Sequence, residues 1–327
     1  MTTGADTAGV GIGIKRAFDA YGRDITVRSM VASTNYIEYP ADIPWSKLAL
    51  QQEWDRADVV HIHNSLHAHH WYDDAGKPTV LMHHGLGETF SALVEEAREL
   101  GIVQIGSTID LSVHEPSIRW SGPAVDIDAM QALRRQHFVW SAGRSIRVGH
   151  APTNAAIKGT AAFAEAMHRL SGRYPVEPVL IQRMTWKQCL ALKATCDILF
   201  DQPVLGYGVN AIEAWAMGLP VVAGVADPRV RGIMLATWGR LPFVEADETG
   251  LEAALERLIA DPAYRFEMTA VGAAHVQRWH SQRAVVKRLT AIYRATPPSV
   301  PGRGERRLTD HQIRKIEGLP EALRALA

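Results

Sequence analysis

Short β-branched runs alternate with amphipathic segments along almost the whole chain, the pattern of parallel sheets covered by helices on both faces. In the first half the runs predict strands over 25–32, 58–63, 79–83, 102–106 and 118–120, with helices over 10–21, 46–57 and 89–100 between them. The second half repeats the scheme, with strands over 145–149, 176–182, 197–201 and 220–223 and helices over 158–170, 186–195, 208–217 and 250–259. Asp261 and Pro262 read as an N-cap and first helical position, opening a helical stretch that runs towards Arg294 with a break at 279–281. A proline- and glycine-rich linker follows over 296–304, and 308–326 forms either one amphipathic helix or a loosely held tail. The fold class is α/β: two Rossmann-like, doubly wound parallel-sheet lobes facing a cleft, with a seam between 123 and 136. Ligands in such sheets sit outside the carboxyl ends of the strands.

A chain of 327 residues, 47% of them hydrophobic, suffices for two buried cores. Its 35 basic and 35 acidic residues cancel, which argues against a nucleic-acid partner and against attachment to anionic lipid by charge alone. Cys189 and Cys196 match neither a redox pair nor a zinc knuckle, so buried reduced thiols are expected. The first residues do not read as a secretory signal, and no apolar run reaches membrane-spanning length. A soluble cytoplasmic protein is expected, with peripheral contact at a membrane surface left open.

Chemistry concentrates in 205–222, LGYGVNAIEAWAMGLPVV, where a glycine turn leads into a helix and then a buried strand. Gly206 and Gly208 permit positive φ and close approach of a ligand, and the backbone amides of Gly206, Tyr207, Gly208, Val209 and Asn210 stand at a helix start that favours phosphate or sugar hydroxyls. Glu213 lies further along that helix among apolar neighbours, where a carboxylate needs a polar partner; a ribose cis-diol is one. The alternative is an ordinary crossover with Glu213 turned to water. Lys158, after the loop holding Asn154, stands at the start of another helix and can neutralise a diphosphate leaving group, with Arg183 at a strand end as a second cation. Gly9, Gly11 and Gly13 border the first helix and would let a diphosphate or an acceptor approach. Half of the histidines fall between 61 and 84; His61 and His63 share one strand face, as a metal site would start, but no third ligand is evident and no metal is expected. His84, at a strand's carboxyl end, either hydrogen-bonds a sugar or leaving phosphate or is a capped structural residue.

Several segments together resemble retaining glycosyltransferases of the GT-B fold, specifically glycosyltransferase family 4. DVVHIHN and PTVLMHHG look like strand ends of its acceptor lobe, and SGPAVDID like the segment entering the interlobe linker. HAPTNAAIKGT, CDILFDQ and IEAWAMGLPVV look like its donor lobe, and WHSQRAVVKRLTAIYR like its closing helix. The resemblance implies an acceptor lobe over 1–128, a nucleotide-sugar lobe over 129–278, a closing helix over 279–295 packing back on the first lobe, and a linker and tail over 296–327. It implies transfer of a sugar from a nucleotide diphosphate donor to an unidentified glycan, lipid or protein acceptor, with retention and without an obligatory metal or other cofactor. Glu213 then matches the second glutamate of the family's motif, which holds the ribose, Lys158 the diphosphate lysine, and His84 the acceptor-lobe histidine. Alanine at Lys158 or Glu213 is expected to abolish transfer and leave the fold intact. Two departures stand out: Leu205 occupies the first glutamate position, leaving open whether Asp201 substitutes, and the arginine that accompanies the lysine is absent, with Arg144, Arg147 and Arg183 as candidate replacements. A noncatalytic sugar-nucleotide or glycan binder, a UDP-sugar epimerase and, on fold alone, a DNA glucosyltransferase are the alternatives.

No apolar strand precedes Gly9, although a Rossmann-type lobe begins with one. Either the lobe lacks its first strand or translation starts upstream of Met1. The second is the expectation, and an in-frame stop codon directly before Met1 in the genomic sequence would rule it out.

Overall fold

The computed structural model describes residues 2–5, 7–33 and 37–319, with side chains described from 8 to 31 and from 37 to 319. The chain divides into two compact units, Met1–Pro123 with Val285–Ala327, and Ala124–Ala284.

In the first unit the strands are β1 (Thr2–Ala5), β2 (Val31–Ser33), β3 (Val60–His63), β4 (Thr79–His83), β5 (Val103–Gly106) and β6 (Arg119–Trp120). The helices among them are α1 (Val10–Tyr21), α2 (Lys47–Arg56), α3 (His67–Tyr72), α4 (Phe90–Glu99) and α5 (Leu111–His114). The strands form one parallel sheet in the order β2-β1-β3-β4-β5-β6. All of β4 is buried, as expected of a central strand covered on both faces. Trp54 of α2 and Tyr72 of α3 pack with Ile62, Leu81 and Ile102 into the core. Ser46 caps α2 by accepting from the Ala49 amide at 3.1 Å, so the helix begins where the sequence pattern put it.

Two expectations about this sheet need correction. A first strand is present: β1 pairs with both β2 and β3, and it escaped notice because TTGA has no apolar alternation, its place being fixed by backbone pairing. Conversely, of the strand expected over 25–32 only the end pairs, in β2; residues 25–29 are extended chain without a ladder.

The expected linker over 296–304 is instead a strap docked on the first unit. The Ser299 amide donates to Gly76 O at 3.1 Å, Val300 to Leu100 O at 2.8 Å, and Arg303 and Gly304 to His70 O at 3.0 Å each. Beneath it the buried Asp73 carboxylate accepts from the Gly76 amide at 3.0 Å and the Lys77 amide at 3.1 Å, with Ser299 Oγ at 3.5 Å and His69 Nδ1 at 3.3 Å. The last described helix, Asp310–Glu317, is capped by Thr309 and stops at Gly318; the rest of the expected 308–326 helix from residue 320 lies outside the described residues.

The second unit holds α6 (Ile127–His137), β7 (Ile146–His150), α7 (Thr160–Ser171), β8 (Val176–Leu180), α8 (Trp186–Lys193), β9 (Ile198–Phe200), α9 (Val209–Ala216), β10 (Val221–Ala223), α10 (Pro228–Trp238), β11 (Val244–Glu245), α11 (Leu251–Ala260) and α12 (Pro262–Trp279). Its parallel sheet runs β11-β10-β9-β7-β8, so Pro178 falls on an edge strand, where a missing N–H is tolerated. Gly272 of α12 lets that helix close on α9: a Cβ there would stand 2.1 Å from Trp215 Cδ1. Asp261 caps α12 through the Tyr264 amide, and α12 ends at the expected break, before α13 (Gln282–Ala295).

Asp73→Ala leaves four strap and turn donors, the amides of Ala75, Gly76 and Lys77 and the Ser299 hydroxyl, without their charged acceptor. The expected loss is about 2–3 kcal/mol, read as a lower urea midpoint with faster amide exchange at 299–304; unchanged exchange there would contradict the strap's dependence on Asp73.

Candidate functional site

The carboxyl ends of β7, β9 and β10 carry the loops that hold most of the sequence-predicted residues. Asp201 follows β9 and is buried; its Oδ2 accepts from the Gly208 amide at 2.6 Å. Its Oδ1 has no hydrogen-bond partner and lies 4.0 Å from Lys158 Nζ. Lys158 reaches this point from a turn: α7 starts at Thr160, two residues later than expected, because Gly159 adopts φ 69° and caps it from the left-handed region. Gly208 borders both charges, since a Cβ on it would stand 3.6 Å from Asp201 Oδ2 and 4.0 Å from Lys158 Nζ. Gly208 is the N-cap of α9 and has no side-chain cap, so among the described residues the amides of Val209 and Asn210 have no hydrogen-bond acceptor. A cation and two open helix-start amides thus stand together, which is an arrangement able to hold a phosphate.

The loop between Asp201 and α9 is rigidly built. Gln202 donates to Gly206 O at 2.6 Å and accepts from the amides of Val204 at 2.9 Å and Leu205 at 2.7 Å. Gly206 sits at φ 87°, where a side chain would be strained, and a Cβ there would displace the tip of Met234. The Tyr207 ring packs on Trp215, Trp238 and Phe243, and its hydroxyl bonds Nε2 of His275 at 3.0 Å and of His280 at 2.9 Å. Only the backbone of Tyr207 is therefore offered to a ligand. Burial, with His280 beside it, pushes the His275 pKa down to about 2. Leu205 projects from the loop, 49% exposed, and offers no hydrogen bond.

Glu213 turns inward. Its Oε1 accepts from Trp186 Nε1 at 2.8 Å and its Oε2 is ion-paired with Lys193, which is itself wholly buried and donates to Asn210 Oδ1 at 2.8 Å. Asn210 in turn donates to Ala151 O at 2.6 Å. Burial pulls the Lys193 ammonium down, but Glu213, with Cys189 and Asp201, outweighs this, so its pKa is raised overall. The polar partner that Glu213 required is thus internal, and Lys193 is the residue that sequence reasoning missed; a lysine three positions after the core residue Leu190 was its only signal. Arg144 and Arg147, considered as replacements for the absent arginine, pair instead with Asp197 and Glu177 near the amino end of β7, away from the phosphate-competent edge. Arg183 is exposed at φ 51°, and Asn154 is exposed with its Oδ1 turned back to the Ala156 amide at 3.1 Å. Cys189 and Cys196 are free, and burial pushes the Cys196 thiol up to about 11.

In the first unit His84 joins a column of imidazoles. His61 stacks on His63 at 4.7 Å between centroids, His63 on His84 at 5.0 Å, and His63 Nδ1 bonds His84 Nε2 at 2.7 Å. Tyr293 OH closes the column on His61 Nδ1 at 2.7 Å. Burial, then His83, pushes the His84 pKa down to about 4, and burial lowers His61 and His63 further. Among the described residues no group of three His, Cys, Asp or Glu side chains is arranged to hold a metal ion, and no helix is long and apolar enough to cross a membrane. Gly11 and Gly13 lie in the first turns of α1.

Solved structures share this two-sheet plan. Sucrose-phosphate synthase from Thermosynechococcus elongatus matches with TM-score 0.56 and 13% identity over 90% of this chain and 98% of that one. A glycosyltransferase from Rickettsia africae ESF-5 matches with TM-score 0.55 and 11% identity over 90% and 97%. WaaG, a glycosyltransferase of lipopolysaccharide biosynthesis, matches with TM-score 0.52 and 12% identity over 90% and 99%. The fold is that of the GT-B glycosyltransferases. A stretch of 150 residues, 43% of the chain, is 29% identical to the GDP-mannose-dependent monoacylated alpha-(1-6)-phosphatidylinositol monomannoside mannosyltransferase of Corynebacterium glutamicum. That match spans 39% of the relative's own length. No family model matches the chain.

The depressed histidines make stability pH-dependent. Between about pH 6.5 and 4 the unfolded chain binds protons at His84 and His150, while the fold, whose values are about 4 for both, does not. Stability is therefore full above pH 6.5 and falls as pH drops towards 4. Urea midpoints at pH 7, 5.5 and 4.5 should decline in that order, and His84→Gln should flatten the decline; equal midpoints would contradict it.

Proposed function

We propose that the chain is a glycosyltransferase that takes a sugar from a nucleotide diphosphate donor, with its diphosphate held by Lys158 and the amides of Val209 and Asn210. The observation that carries this reading is the pairing of that cation with two acceptor-less amides at the start of α9. Departure of the diphosphate develops negative charge on its oxygens, and a fixed ammonium with two aimed N–H groups stabilises that charge without reorganising. Asp201, with one oxygen on the Gly208 amide and the other near Lys158, orients both groups and keeps the empty site from carrying net positive charge.

Glu213 receives a ribose hydroxyl only at an oxygen already accepting from Trp186 or Lys193, and a carboxylate oxygen has a second lone pair for that purpose. His84, neutral at pH 7 and hydrogen-bonded at Nε2, has its other ring nitrogen to offer the transferred sugar. Retention and independence of metal belong to the same proposal, because no side chain here is assigned as a nucleophile and the charge on the leaving group is met by the chain's own groups. The relative's name makes GDP-mannose the first donor to test. The exposed Leu205, where a hydrogen-bonding residue would grip the sugar, favours one second reading: a protein that binds the nucleotide sugar without turning it over.

Lys158→Ala should keep the fold, since the side chain is partly exposed, and should lower kcat/KM for sugar transfer or donor hydrolysis about 10²- to 10³-fold. Wild-type turnover by this variant would overturn the assignment, and tight donor binding without turnover by the unaltered protein would select the binder. Glu213→Ala is a poor probe, contrary to the sequence-based expectation, because it strands a buried Lys193 at about 3–5 kcal/mol. The paired change Lys193→Met with Glu213→Leu should recover most of that stability while donor turnover stays lost.

A further inference from the structure

The site at the start of α9 has a charged floor and an apolar rim. Two segments of the second unit border Lys158 and the amides of Val209 and Asn210: the turn over 154–159 and the loop over 202–207. They touch where Gly159 meets Pro203, since a Cβ on Gly159 would stand 3.1 Å from Pro203 Cγ. The loop keeps its polar side chains to itself. Gln202 is engaged by the Gly206 carbonyl and by the amides of Val204 and Leu205, and the Tyr207 hydroxyl by His275 and His280. Pro203 and Gly206 are buried, so the loop shows solvent Val204, 42% exposed, and Leu205, 49% exposed. The turn shows Ala155, Ala156 and Ile157, the last 56% exposed, while Asn154 turns its Oδ1 back to the Ala156 amide.

Exposed apolar side chains scattered singly carry no message, but a group of them beside a cation and two open amides describes a ligand with two chemistries. The floor fits a diphosphate. The group joined to that diphosphate lies against the rim, where a hydroxyl loses water and meets neither donor nor acceptor. A hexose presents hydroxyls on nearly every carbon, and one deoxygenated at its exocyclic carbon presents a methyl group instead. That methyl is the part of a sugar that an exposed leucine can take without leaving a polar group unpaired.

We infer that the sugar taken by this site is a 6-deoxyhexose carried on a nucleoside diphosphate, with its methyl group on Leu205. The inference rests on the diphosphate reading of Lys158 and names the sugar class for it. Leu205, which offers no hydrogen bond, becomes the residue that selects the sugar: a hexose with its exocyclic hydroxyl in place sets that hydroxyl against a side chain unable to pair with it. Because Leu205 is half-exposed, the discrimination is about tenfold, the low end of what one group contributes in an apolar site.

Calorimetric titration of the full chain tests this whether or not the sugar is turned over. GDP, UDP, ADP and dTDP are each titrated alone, as the hexose and as the matching 6-deoxyhexose, mannose for GDP and glucose for the others. For the nucleotide that binds, the 6-deoxy sugar should bind about tenfold more tightly than its hydroxylated twin, and Leu205→Gln should bring that ratio to about twofold or less. Equal affinities, a preference for the hydroxylated sugar, or a ratio unchanged in Leu205→Gln would overturn the inference and leave the diphosphate site standing. Binding of none of the nucleoside diphosphates would overturn the diphosphate site itself, and the inference with it. Geranyl diphosphate binding more tightly than every nucleotide sugar would assign the rim to a lipid and overturn the sugar assignment.

Discussion

The second unit's site depends on one buried ion pair, Lys193 with Glu213. Helix α9 is buried along most of its eight residues, so it can carry a carboxylate only if a full opposite charge is buried with it. Lys193 supplies that charge from α8 and reaches on to Asn210, which bonds Ala151 beyond the end of β7. One ammonium thereby ties α8, α9 and the β7 loop into a fixed relation. Such a pair adds little to stability compared with apolar packing, but its loss on one side is severe, so its value lies in fixing one arrangement of the polar groups. The consequence for the proposed function is positional: the helix that offers its first amides to the proposed phosphate locus cannot slide or rotate without breaking the pair.

A second constraint acts on the loop that feeds α9. Helix-start amides bind anions only if they are held in place while empty, and here three devices hold them. Gln202 staples the turn from within, Tyr207 anchors it in an aromatic cluster behind, and Asp201 occupies the Gly208 amide in front. The last of these both helps and competes. Asp201 takes the Gly208 amide, so in the proposed site a phosphate would meet Val209 and Asn210, and would gain Lys158 only by sharing it with a carboxylate 4.0 Å away. At that separation and partial exposure the sharing is weak, which suits the cation of the proposed diphosphate site.

These features were unequally legible in the sequence. Helices α1, α2 and α4 and strand β4 follow from hydrophobic period and caps, because each buries a face whose pattern is local: Ser46 and the run THR-VAL-LEU-MET-HIS at 79–83 announce themselves. Gly206, Gly208 and Lys158 were legible as a candidate phosphate locus because backbone freedom and charge are properties of single residues. Lys193 was not, since a lysine on a helix reads as solvated until its depth is known. Strand β1 failed for the opposite reason: its four residues contribute almost nothing but backbone, and its neighbours lie at 31–33 and 63, too distant along the chain for a local pattern to show. The strap over 296–304 has linker composition, and only its pairing with the carbonyls of His70, Gly76 and Leu100, far earlier in the chain, makes it structure.

The same reasoning explains why the imidazole column of the first unit is neutral rather than charged. Three stacked rings at about 5 Å cannot all be protonated without mutual repulsion in a buried site, and the neutral forms satisfy one another: each bonded pair needs one N–H and one lone pair. Tyr293 sets the end of the column, because burial holds its hydroxyl protonated and it can therefore act as the donor to His61 Nδ1. With that nitrogen accepting, the proton of His61 resides on its other ring nitrogen. The column thus presents His84 with a fixed partner on Nε2, and what His84 can offer at its remaining nitrogen is decided by His63. A residue that reads in the sequence as a lone histidine beside a glycine is, in the fold, the half-buried end of a hydrogen-bonded stack.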